Sequence, residues 1–310
     1  MKEIQNTNIM RKLYFLLLIG LLAAACRPGN NKDNDRKDGK PVITVTIEPL
    51  RYLTEAIAGD QFSIVSMVPK GTSPETYDPT PQQLIDLAKS KAYFRIGYIG
   101  FEQAWTDKLT DNAPHLQFFD MSEGIDLIYD DTHSHHQENE ADEDHHHAGG
   151  VEPHIWNSTL NAQIIAGNIL KALCSLDKAN DSIYVGRYKV LCQQIEQTDS
   201  LIRQTLATPG TDRAFMIYHP ALSYFARDYD LHQIPIEAGG KEPSPAHLKA
   251  LMNTCKNEKV GVIFVQPEFD RRNAEIIAKQ TGTKVVDINP LSYDWETEML
   301  NTARALTNVE

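Results

Sequence analysis

Residues 41–68 read PVITVTIEPLRYLTEAIAGDQFSIVSMV. β-branched runs at 42–47 and 62–68 flank a helical segment near 52–58, and strands joined through a helix lie parallel in one sheet. The rhythm continues with strands predicted at 92–97 and 116–120 and helices at 81–90 and 102–109. Thr80 stands at the N-cap of the 81–90 helix, and Pro81 takes its first position, where a missing N–H costs nothing. A second series has strands predicted at 214–218, 233–237, 260–265 and 284–288, with helices at 221–229, 245–256, 273–281 and 296–306. Two series of similar rhythm predict an α/β fold of two lobes, each a mainly parallel four-stranded sheet flanked by helices.

Residues 158–207, between the two series, are helical in composition. Tyr184, Tyr188, Leu191, Ile195, Thr198 and Ile202 recur at spacings of three and four, which suits one long helix packed along both lobes. Pro209 and Gly210 end it. The expected organisation is therefore a first lobe at 41–157, a helical connector at 158–210 and a second lobe at 211–310. A stiff connector of this kind restricts hinge motion between lobes.

The N-terminus carries Arg11 and Lys12, an apolar run from Leu13 to Leu22, then Ala23, Ala24 and Ala25 directly before Cys26. That order makes residues 1–25 an export signal. The apolar run is about ten residues, whereas a spanning helix needs roughly twenty. A cysteine directly after small residues resembles the lipobox of bacterial lipoproteins, which implies a lipid on Cys26 and attachment to a bacterial membrane. Residues 26–40 are polar, with nothing apolar to bury, and read as a tether. The chain holds 42 acidic against 30 basic side chains, a formal charge of −12, and loss of residues 1–25 takes this to −14. Such acidity argues against nucleic acid and for cation handling. Cys174, Cys192 and Cys255 are an odd set without zinc-site spacing, and they read as small buried apolar residues.

The segment 130–149 is unlike any core. His133, His135, His136, His145, His146 and His147 are mixed there with seven Asp and Glu side chains. Imidazole and carboxylate suit zinc, copper and nickel, and a solvated loop offers several weak, interchangeable sites. A selective site needs rigid elements instead, and three segments qualify. Residues 71–79, GTSPETYDP, follow the second strand and hold Glu75 between prolines. Residues 152–156, EPHIW, place His154 on a short turn before a helix, and residues 218–220, YHP, put His219 at the end of the second lobe's first strand. Ligands of open α/β sheets bind at these carboxyl edges, so the three side chains are expected to converge between the lobes.

At these residues the chain resembles the extracytoplasmic solute-binding proteins of zinc and manganese ABC transporters, the cluster A-I group, and within it the zinc-uptake branch. The resemblance runs from the strand before Glu48-Pro49-Leu50 to residues 289–295, NPLSYDW, and includes the histidine-acidic segment. It implies two α/β lobes bridged by one long helix, a metal held between them, no catalysis, and a monomer that serves an ABC permease outside the cytoplasm. The family's second and third metal-binding histidines match His154 and His219. Its first histidine position is Glu75 here, a departure that keeps an accepted zinc set, two imidazoles and a carboxylate, while making the site harder and more tolerant of manganese. Its fourth position, an aspartate in many members, is Asn289, so water, Asp287 or Glu237 is expected to complete the shell. Zinc is the expected ion, with manganese the alternative. A zinc hydrolase with Glu75 as base finds no support, since the sequence has no His-Glu-x-x-His and no Gly-x-Ser-x-Gly. Nothing in the residues points to the protein-binding patch of an adhesin.

Overall fold

The computed structural model describes residues 39–129 and 150–307, and both βα series form within them. The first lobe runs β1 (Val42–Val45), α1 (Glu48–Ala58), β2 (Ser63–Ser66), α2 (Pro81–Ala88), β3 (Ala92–Arg95), α3 (Gly100–Asn112) and β4 (Gln117–Asp120). The connector holds α4 (Thr159–Leu176) and α5 (Asp181–Leu206). The second lobe runs β5 (Ala214–Ile217), α6 (Ser223–Asp228), β6 (His232–Pro235), α7 (Pro245–Asn257), β7 (Val262–Val265), α8 (Arg272–Thr281), β8 (Lys284–Asp287) and α9 (Trp295–Ala305). The export signal, Cys26 and the six histidines of 130–149 lie outside the described residues. An antiparallel bridge between Tyr129 and Val151 pins the two ends of that histidine segment together.

Every strand pair is parallel, and the strand orders are β2-β1-β3-β4 and β6-β5-β7-β8. The two sheets thus share one topology. In each, the chain steps first to one side of its starting strand and then to the other. The resulting crevices, between β1 and β3 and between β5 and β7, are where sheets of this type hold ligands. All four residues of β1, β5 and β7 are buried, as strands covered on both faces must be.

Capping fixes the helix starts. Thr80 Oγ1 accepts from Gln83 N at 3.3 Å and Gln83 Oε1 accepts from Thr80 N at 3.0 Å, a closed capping box before Pro81. Ser158 and Ser244 cap α4 and α7 through Asn161 N at 3.0 Å and His247 N at 3.2 Å.

The connector is two helices rather than one. A break at Asp177 separates them; its carboxylate accepts from Tyr184 Oη at 2.7 Å and Asn180 Nδ2 at 2.6 Å. The second helix, α5, is the bridge. Its 26 residues span about 39 Å, and Tyr184, Leu191, Ile195, Thr198 and Ile202 are buried along it while it packs against α4, against α1 of the first lobe and against α9 of the second.

Alternation along β5 and β7 divides the second lobe's core. Phe215, Ile217 and Phe264 join the core that runs through the connector into the first lobe, whereas Met216, Tyr218, Ile263 and Val265 form a smaller one with Leu251, Cys255, Ala274 and Ile277. The shared core makes the interlobe contact a packed one. Two indoles stitch it further: Trp156 Nε1 donates to Pro290 O and Trp295 Nε1 to Trp156 O, both at 2.8 Å. Trp295→Ala is expected to cost about 3–5 kcal/mol of stability in chemical denaturation, the range for emptying a fully buried aromatic site. Cys174, Cys192 and Cys255 are all free thiols.

Candidate metal centre

Glu75 sits on the long segment between β2 and α2. Gln83 of α2 anchors that segment, donating through Nε2 to Met67 O at 3.1 Å and accepting from Tyr77 Oη at 2.5 Å. The backbone of Glu75 lies against the start of α3, where a Cβ at Gly100 would come within 3.3 Å of Glu75 O. His154 occupies the turn before α4, which Ile155 N closes by donating to Pro153 O at 2.8 Å. His219 follows β5 and is clamped through its main chain: its N donates to Gln266 Oε1 at 3.3 Å and its O accepts from Gln266 Nε2 at 2.6 Å.

These three side chains meet between the lobes. Glu75 Oε1 lies 2.9 Å from His219 Nε2 and 3.1 Å from His154 Nε2, and the two ring nitrogens are 3.3 Å apart. Among the described residues this is the one group of three His, Cys, Asp or Glu side chains whose ligand atoms lie within 4.8 Å of one another. They line a cavity of about 20 Å³, enough for one water-sized occupant. Its other walls include Trp156, Phe269, Pro290 and Leu291. The Phe269 ring stacks on His219 at 5.2 Å, and Trp156 meets His154 edge-on at 5.2 Å.

A carboxylate backs each imidazole. His154 Nδ1 bonds Glu152 Oε1, and His219 Nδ1 lies 3.0 Å from Glu237 Oε1. Such a partner holds the proton on Nδ1, turning the Nε2 lone pair toward the cavity and raising its basicity. Both backing groups are themselves held. Glu152 accepts from Ser223 Oγ at 3.2 Å and Glu237 from Gly240 N at 3.2 Å.

Charge follows from this geometry. Burial alone would push the Glu75 carboxyl up, but the hydrogen bonds and charges of His154 and His219 overcome it and hold the group far below the usual carboxylate range. Burial would likewise lower His154, yet Glu152 and Glu75 lift it to about 10. His219 is raised against its burial by Glu237 and Glu75. Glu152 is lowered despite burial, chiefly through His154. Three sets of strong acceptors around two imidazoles make a centre that demands positive charge, whether protons or a cation.

Glu237 stands behind His219 rather than in the triangle. Asp287 is turned outward, with 71 % of its side chain exposed and an ion pair to Arg271 Nη1 at 3.1 Å. Asn289 lines a neighbouring cleft with Glu48, Lys70 and Tyr293, and its Oδ1 accepts from Leu291 N at 3.1 Å. Sequence reasoning missed Glu152, Gln266, Glu268 and Phe269. Two signals were present: a carboxylate two residues before His154, and Gln-Pro-Glu-Phe (266–269) directly after a strand, at the same edge that delivers His219. Of the remaining histidines, His115 and His232 are exposed and His247 begins α7.

Known proteins resemble this chain in sequence and fold. A crystal structure of ZnuA superposes with a TM-score of 0.76 at 34 % identity, covering 86 % of this chain and 97 % of that one. The high-affinity zinc uptake system protein ZnuA of Bacillus subtilis (strain 168) is 26 % identical over 303 residues, 96 % of this chain and 90 % of its own length. The manganese ABC transporter substrate-binding lipoprotein PsaA of Streptococcus pneumoniae is 27 % identical over 285 residues, 88 % and 86 % of the two chains. The model of the ZnuA family, the periplasmic component A of the zinc-uptake complex, matches residues 43–309, nearly all of the described chain, and this chain belongs to that family.

Proposed function

We propose that this protein captures a single divalent transition metal, zinc first, at Glu75, His154 and His219, and delivers it to an ABC importer outside the cytoplasm. The observation that carries the reading is the convergence of three ligand atoms within 4.8 Å, drawn from both lobes, with each imidazole oriented by its own carboxylate. Two nitrogens and one oxygen fit zinc. Manganese is the second reading, favoured by the carboxylate at position 75 and by the manganese carrier among the relatives.

The role is binding rather than catalysis. Glu75 Oε1 occupies a ligand position itself, 2.9 and 3.1 Å from the two ring nitrogens, so it does not serve as a separate general base for a zinc-bound water. Export through residues 1–25 and a lipid on Cys26 would hold the carrier at the membrane beside its permease. The acidic segment 130–149 collects metal weakly and feeds the tight site.

Tyr129 and Val151 pair across the ends of that segment, so its removal leaves only a short gap to close. Deletion of residues 130–149 is expected to leave one tightly bound zinc per chain, counted by titration against a competing chelator and by elemental analysis. A deletion protein that binds no zinc would place the tight site in the segment.

A further inference from the structure

A triangle of one carboxylate and two imidazoles is incomplete for a divalent ion. Four-coordinate zinc needs one more donor.

Most polar groups nearby are already engaged. Glu237 Oε1 holds His219 Nδ1 at 3.0 Å and Gly240 N at 3.2 Å. Glu152 holds His154, Asp287 is paired with Arg271, and Asn289 Oδ1 accepts from Leu291 N. Glu268 differs: it is half-buried, it lines the same cavity as the triangle, and no side chain among the described residues is hydrogen-bonded to its carboxylate.

Its place in the fold suits a ligand. The turn at 266–269 leaves the carboxyl end of β7, and β5 beside it delivers His219, so Glu268 and His219 flank the crevice at the second sheet's switch point. That turn is fixed on both sides of Glu268. Gln266 is locked to the His219 main chain, Phe269 N donates to Gln266 O at 3.2 Å, and the Phe269 ring stacks on His219. The backbone is held, while the carboxylate is engaged only by its own main-chain N–H and by the nearby charge of His219.

We infer that Glu268 is the fourth protein ligand, swinging in from the cavity wall to close the shell. This rests on the metal-capture reading of the same site. In the metal-free arrangement its carboxylate stands outside the triangle of Glu75, His154 and His219, and side-chain rotation brings it in when the ion arrives. Two imidazoles with two carboxylates make a more oxygen-rich shell, which also accommodates manganese.

The test is chelator competition with Zn²⁺ and Mn²⁺ on the full protein, with the visible spectrum of the Co²⁺-loaded form as a second readout. Glu268→Gln and Glu268→Ala are expected to keep one ion per chain, to lose about 10- to 100-fold in affinity, the range that even indirect partners of a metal ligand reach, and to shift the Co²⁺ spectrum. Manganese affinity should fall more than zinc affinity. Asp287→Asn should change neither readout. Wild-type affinity and an unshifted spectrum in both Glu268 variants would overturn the inference while leaving the triangle intact. Failure of the wild-type protein to bind any of the three ions would instead overturn metal capture itself.

Discussion

His219→Ala is expected to lower zinc affinity by about a thousandfold or more, ~4 kcal/mol, in a protein that still folds. His219 Nε2 is one vertex of the triangle, 2.9 Å from Glu75 and 3.3 Å from His154, and no other imidazole among the described residues reaches that point. Truncation also strands the Glu237 carboxylate, only 8 % exposed, so some stability is lost alongside affinity. His219→Gln separates the two effects, because its amide can still donate toward Glu237 while supplying no imidazole lone pair. Both variants should lose zinc, and the alanine variant alone should show the larger drop in melting temperature. Retention of wild-type affinity by either would remove His219 from the site.

Acidification should release the metal steeply. In the metal-free protein His154 is lifted to about 10 by Glu152 and Glu75, and His219 is raised by Glu237 and Glu75. At neutral pH the empty site therefore holds protons that an incoming ion must displace. Each displaced proton changes affinity tenfold per pH unit, so between pH 7.5 and 5.5 the loss is about 100-fold for one proton and about 10,000-fold for two. Calorimetry in buffers of different ionisation enthalpy should record one to two protons released per zinc. The sign for the empty protein is opposite. A histidine raised in the folded state stabilises it below the ordinary value near 6.5, and that contribution is lost as pH rises toward about 10. The gain in melting temperature on adding zinc should accordingly shrink toward pH 5.5. An affinity that is flat across this range would take the imidazoles out of the account.

The eight strands and the two lobes were legible because period and punctuation agree. The β-branched run at 42–47 and the apolar run at 214–218 fill strands buried on both faces, and Thr80-Pro81 marks a helix start that the structure closes with a capping box. The connector was half legible. Its apolar stripe predicted the 26-residue bridge, but the break at Asp177 rests on hydrogen bonds from Asn180 and Tyr184, which composition does not announce. The convergence of Glu75, His154 and His219 was legible because proline-stiffened segments at strand ends limit where a side chain can go. Their supporting shell was not. Glu237 lies behind the His219 ring, and proximity to a strand end does not say whether a carboxylate faces the cavity or the back of a ring. Asp287 has the right chemistry, but Arg271 at the start of α8 claims it.

X-ray absorption at the zinc edge of the loaded protein, with a crystal structure of the same form, tests the central claim most directly. The account predicts one ion between the lobes with two imidazole nitrogens, from His154 and His219, and carboxylate oxygen from Glu75, all at about 2.0–2.2 Å. A shell containing sulfur, or an ion held only by histidines of the 130–149 segment with the interlobe triangle empty, would contradict it.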